Sequence, residues 1–193
     1  MDIAGFLHSL TPLDFLLGLM LAGAFVLGYY QGAGRAVISA LAWFFSFILA
    51  ANLRAPLGGL LATQWTSFSS DYDLMLAFLI SFVVSLGVCG VLIVGATQRQ
   101  ALLPASAVLD PLLGGTIALV VAVLVLAGVV AGLDSGYQIG PGFGFNEVPA
   151  LGSLQTLLSQ SVIGSFVAAT VVPMVTTVTG PFLPMELIRL FGG

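Results

Sequence analysis

Between Asp110 and Asp134 the chain carries 23 consecutive uncharged residues, opened by Pro111 and built mostly of Leu, Val, Ala and Gly. At about 1.5 Å per helical residue, the stretch from Leu109 to Leu133 is longer than the roughly 30 Å hydrocarbon core of a bilayer. Asp110-Pro111 suits a helix start: a carboxylate accepts the orphan backbone N–H groups, and proline has no N–H to lose and its φ already set. Within the run Gly114, Ala118 and Ala122 recur every fourth residue, so they share one helical face. Gly128 and Gly132 repeat the interval nearer the far end. Small residues at this spacing let membrane helices bring their backbones together, because lipid tails already satisfy large apolar side chains and leave close packing to hold helices. Gly28 and Gly32 at the end of an earlier apolar run, and Gly87 within a third, are further candidates for helix packing.

The surrounding sequence agrees with a membrane setting. Hydrophobic residues make up 59% and charged residues 6% of the chain, where a soluble domain has about a quarter charged. There is no lysine and there are four arginines, so neither a polybasic lipid-binding tail nor a stripe to neutralise nucleic-acid phosphates is present. Nucleic acid is excluded as a direct partner. The single cysteine, Cys89, lies in an apolar run, which rules out an internal disulfide and reads as a packing thiol.

In chain order, Ile3, Phe6, Leu7 and Leu10 suggest a short interfacial helix. Thr11-Pro12-Leu13-Asp14 then has the form of a capping box at a helix start. The following uncharged run is not a secretory signal, because no Lys or Arg precedes Arg35 and the apolar run continues past Ala22-Gly23-Ala24. Tyr29-Tyr30-Gln31-Gly32-Ala33-Gly34-Arg35 marks a tight hairpin. A second span is expected over 36–53, ended by Arg54 and Pro56. Residues 55–73 read as a polar loop with Trp65 and Phe68 as interface anchors. A third span lies within 74–97, followed by a connection containing Arg99 and Pro104, and the fourth is 112–133. After Asp134 comes a glycine-rich loop that meets neither a dinucleotide nor a phosphate-loop pattern. Leu151, Leu154, Leu157 and Leu158 predict an amphipathic helix. Val162 to Gly180 is just long enough to be a fifth, proline-bent span, but its Ser, Thr and Pro content favours an interfacial or partly inserted tail.

The expected fold is therefore an all-α integral membrane protein: four transmembrane helices (about 13–31, 36–53, 74–97 and 112–133) packed through small-residue faces, plus a carboxyl-terminal amphipathic or partly inserted helix in 136–193. Four spans put both termini on one side, with Arg35 and Arg99 on the other. The positive-inside tendency assigns those arginines to the cytoplasm and both termini to the outside. No catalytic constellation or cofactor motif is present: His8 and Cys89 are isolated, and neither Gly-x-Ser-x-Gly nor His-Glu-x-x-His occurs. Every charge falls at an expected helix end or in a loop, which argues against an ion-coupled carrier. Asp110 is either a plain helix cap or a partner-binding carboxylate. The expected partners are the bilayer and other membrane proteins or a second copy of the chain.

Over about residues 11–135 the chain resembles the bacterial colicin V production family. That family has an Asp opening the first span, an Arg-Gly-x-x-Arg-Glu hairpin into the second, and a later Leu-x-x-x-Asp-Arg-x-x-Gly with glycines following at four-residue intervals. Here Asp14 stands at the opening, Gln31-Gly32-Ala33-Gly34-Arg35-Ala36 at the hairpin, and Asp110-Pro111-Leu112-Leu113-Gly114 at the later motif. Gln31, Ala36 and Pro111 replace charged residues of that pattern. The resemblance implies a four-helix inner-membrane protein linked to toxin (bacteriocin) production or export and to envelope maintenance, without established catalytic residues. Some relatives resemble membrane anchors for an extracytoplasmic protease domain. A small channel or carrier, or a subunit of a larger membrane complex, is the alternative.

Overall fold

The computed structural model describes residues 10–65, 70–96, 108–137 and 149–184, and all regular structure among them is helical. The expected interfacial segment before Leu10, the Phe68 anchor, the connection at Arg99 and Pro104, and the glycine-rich stretch from Gln138 to Phe145 lie outside the described residues. Helix α1 is Pro12–Gln31 and begins with the expected capping box: the Asp14 N–H donates to Thr11 Oγ1 at 3.3 Å, and the Thr11 N–H donates to Asp14 Oδ2 at 2.8 Å. One residue, Gly32, separates it from α2, Ala33–Gln64. Then follow α3, Ser70–Ala96, and α4, Leu109–Tyr137. The four long helices expose large apolar side chains, among them Leu19 at 71%, Val83 at 60% and Val91 at 75%. Such a surface suits contact with lipid rather than water.

Helix α2 corrects the expected second span. It does not stop at Arg54 and Pro56 but continues to Gln64, replacing the first half of the expected polar loop. Proline removes one donor, the one that would reach the carbonyl of Asn52 four residues back. The leucines and alanine that follow are good helix formers, and Gly58 seats the turn after the proline against Leu74. Arg54 is consequently not at a helix end. It lies inside a continuous helix and is buried.

The carboxyl-terminal part begins with α5, Pro149–Gln160, the expected amphipathic helix, with Leu158 buried and the Ser153 and Thr156 hydroxyls bonded back to Pro149 and Gly152 carbonyls. A continuous helical stretch follows, made of α6, Val162–Phe166, a π-turn, Val167–Val171, α7, Val172–Thr179, and a closing 3₁₀ turn, Gly180–Phe182. Val162–Phe182 is long and apolar enough to cross a membrane, so the described residues contain five such helices where four were expected. Two features counted against a span turn out to be compatible with one. Pro173 is accommodated by the π-turn before it, in which the Val172 N–H reaches back five residues to Val167. The hydroxyls of Ser165, Thr176, Thr177 and Thr179 each donate to a backbone carbonyl one turn back, so they need no water. The end of this stretch lies beside the middle of α2: the Phe182 ring meets Phe44 edge-on at 6.1 Å, and the Phe182 carbonyl accepts from Asn52 Nδ2 at 3.2 Å.

Helix α4 is the centre of the bundle. It touches α1, α2, α3, α5, the π-turn and α7, with its most extensive contact along α1, while α2 and α3 pair with each other. Pro56 is exposed on α2, so replacing it removes no packing. Pro56→Ala should restore one backbone hydrogen bond and raise stability in detergent by about 1–3 kcal/mol. An unchanged or lowered unfolding midpoint in maltoside would count against an ordinary helix through this position.

Candidate functional site

The sequence motifs converge at the α1–α2 hairpin. Gly32 has φ +81°, a left-handed value that glycine adopts without a Cβ penalty. It is also crowded, because a Cβ there would lie 2.6 Å from Asp110 Oδ2 at the start of α4. One turn into α4, a Cβ on Gly114 would lie 2.5 Å from the Gly28 carbonyl oxygen, 2.6 Å from the Gly32 carbonyl carbon and 2.9 Å from the Ala33 nitrogen. On the opposite side of the contact, a Cβ on Gly28 would run into Ala118 and the Gly114 carbonyl. Gly28, Gly32, Gly114 and Ala118 thus form one interface in which backbone meets backbone. Asp110 is buried against it, and Arg35 is half-buried in the first turn of α2. Ala122, one turn past Ala118, is half-buried.

Gly128 and Gly132 act differently. They admit side chains rather than another backbone: a Cβ on Gly128 would sit 2.6 Å from Phe82 Cζ, and one on Gly132 2.6 Å from Leu79 Cδ2 and 2.8 Å from Phe78 Cδ1. Phe78 and Phe82 stack on each other and present their edges to Phe47, which stacks on Trp43. The two glycines are therefore a notch for the aromatic core of α2 and α3. Gly115, which sequence reasoning did not single out, seats the Phe25 ring in the same manner, with Cε2 at 2.9 Å. Gly87 is a correction. It is exposed with nothing within 4 Å, because it lies on the face of α3 turned away from the bundle, so it packs no helix.

The fifth motif residue, Asp14, stands at the other end of α1, roughly 27 Å from the hairpin at 1.5 Å per residue. Its carboxylate is buried and receives four donors. Oδ2 accepts from the Thr11 N–H and the Thr11 hydroxyl, both at 2.8 Å. Oδ1 accepts from the Ser161 hydroxyl at 2.6 Å and the Ile163 N–H at 2.9 Å. Ser161 is itself the N-cap of α6, accepting from the Gly164 N–H at 3.0 Å. One carboxylate thus caps two helices, reaching the N–H of Ile163 149 residues further along the chain, and the positive ends of both helices favour its charge. Nothing local in the sequence signals the second half of this junction. Among the described residues no group of three or more metal-binding side chains occurs.

The colicin V production protein family model matches residues 13–142, about two thirds of the chain. The chain belongs to that family. The match contains both glycine contacts, the hairpin and Asp14, and it stops before α5. No curated protein and no solved structure matches significantly.

Two outcomes follow for these family positions. Gly114→Ala should lower stability by about 1–3 kcal/mol, because the new methyl meets immovable backbone, whereas Gly87→Ala should leave it unchanged or raise it by about 0.5–1 kcal/mol. Similar unfolding midpoints for the two variants would remove the backbone contact as a stabilising feature. Asp14→Asn and Ser161→Ala should be non-additive, with a coupling of about 1 kcal/mol or more in a double-mutant cycle. Simple additivity would show that the two helix starts are not energetically linked.

Proposed function

We propose that this chain is a non-enzymatic scaffold or accessory factor of the bacterial inner membrane, serving toxin (bacteriocin) production or export and envelope maintenance. The observation that carries the reading is the use to which the specialised residues are put. Glycines and alanines of the family motifs hold helices together, and the Asp14 carboxylate is occupied by four donors from the chain itself. A carrier for ions needs intramembrane polar groups with free coordination facing a path. Membership in the colicin V production family supports the link to toxin production. The partners under this reading are other membrane proteins, recruited in the plane of the bilayer.

The same reading puts the Arg35 hairpin in the cytoplasm, following the positive-inside tendency, and the starts of α1 and α6 outside. Under this reading the last helix enters from outside, and the contacts of Phe182 with Phe44 and Asn52 beside the middle of α2 support a helix that stops short of the cytoplasmic face. In a Cys89→Ser background, Trp65→Cys and Pro184→Cys should react with an impermeant thiol reagent on spheroplasts, and Gln31→Cys should not. Labelling at 31 alone reverses the orientation, and protection at 184 alone means that the last helix crosses completely. A deletion strain should lose bacteriocin release or become envelope-sensitive and be restored by the wild-type gene. The pure protein in liposomes should give no flux above empty vesicles; saturable flux of a solute or ion would replace the scaffold by a carrier.

A further inference from the structure

At the end of α4 remote from the glycine hairpin, α4, α5 and α6 with the π-turn line a half-open cavity of about 370 Å³. The volume falls in the range of small-molecule sites, about 300–1,000 Å³. Leu133, Leu158 and Ala168 make an apolar wall, and Asp134 and Gln155 supply a carboxylate and an amide. The Gln155 side chain hydrogen-bonds Asp134, which fixes the carboxylate and leaves it further acceptor capacity. No arginine lines the cavity, and the chain contains no lysine. Among the described lining residues, the half-buried carboxylate stands beside an apolar wall with no cationic side chain.

We propose that this cavity binds an ammonium group carried on an apolar stem. The carboxylate and the Gln155 carbonyl oxygen offer acceptors to the N–H groups, the negative charge selects a cation, and the leucine and alanine wall takes methylenes. An anion is disfavoured by Asp134. A metal ion is disfavoured because the lining offers one carboxylate, one amide and the hydroxyls of Ser159 and Ser165, which already donate to carbonyls of their own helices, and a single charged ligand is too little for a hard divalent cation. Position along the chain supports the same ligand. Asp134 is the last residue of one candidate span and Val162 the first of another, so the cavity sits at the ends of two apolar stretches, where an amine-headed amphiphile would place its headgroup. An amine-headed lipid and a dissolved amphiphilic amine can both reach it there.

The test uses the full chain purified in maltoside, with dodecylammonium as probe and dodecanol as the uncharged control, read by equilibrium binding and by thermal shift. Wild type should bind dodecylammonium and shift its unfolding midpoint, with dodecanol at least tenfold weaker. Asp134→Asn should weaken the ammonium about tenfold, the scale of one lost charge-assisted hydrogen bond. Gln155→Glu, which adds a second carboxylate, should tighten it, and Ala168→Leu, which fills the wall, should weaken it without changing the preference for charge. Unliganded melting curves show that each variant is folded; if Asp134→Asn is not, Gln155→Glu and Ala168→Leu decide. Displacement of the probe by phosphatidylethanolamine but not phosphatidylglycerol assigns the site to lipid, and absence of displacement by either assigns it to soluble amines. Equal binding of dodecylammonium and dodecanol, or affinity unmoved by the folded variants, overturns the proposal.

Discussion

The rest of the bundle depends on the approach of two backbones, at Gly28 and Gly114, with no side chain between them. In lipid, large apolar side chains gain little from meeting one another, so helix pairing rests on close van der Waals contact. A crossing this tight fixes α1 against α4, and the single residue Gly32 then dictates where α2 departs. From the other end of α4, Gly128 and Gly132 receive Phe82 and Phe78, which bring α3 in, and Phe47 and Trp43 of α2 close the ring cluster. One helix therefore positions three others by two different uses of the same small residues, backbone against backbone at one end and ring against backbone at the other.

Around the carboxyl-terminal helices, polar groups follow a stricter rule, because in hydrocarbon an unsatisfied donor or acceptor costs several kcal/mol. Along α6 and α7 the Ser and Thr hydroxyls return to carbonyls of their own helix. At the start of α6 the unpaired N–H groups find Ser161 and Asp14. Asp14 is the point where this local rule becomes a long-range one: a carboxylate has two oxygens, the capping box of α1 occupies one, and the second is left to hold another helix start. The tail is thereby tied to the first helix by a charge that neither helix has to expose.

Periodicity and charge alone made much of this readable. The run from Leu109 to Leu133 announced a central helix with a small-residue face, and Thr11 with Asp14 announced the helix start before it. The hairpin was legible from Gly32 and Arg35. What escaped the sequence has four physical causes. Pro56 looked like a stop, but an exposed proline removes one hydrogen bond and the helix formers after it outweigh that loss. Pro173 and the threonines looked hostile to a span, yet a π-turn absorbs the first and back-bonding the second. Gly87 matched the spacing of packing glycines, but spacing cannot tell which face of α3 is turned inward. The link from Asp14 to Ser161 could not be read locally at all, since it joins positions 147 residues apart.

The family match ends at residue 142, and the structure gives that boundary a physical meaning. Everything that pairs α1 to α4 lies inside the match, so the colicin V production core holds its glycine contacts without help from the tail. The cavity is different, because Leu133 and Asp134 come from the core and Leu158 and Ala168 from beyond it. A ligand seated there would touch both parts at once, on the same side of the bundle as the Asp14 junction that ties them together. Binding energy at the seam would thus add to the hold on the tail without reaching the hairpin at the other end of α4.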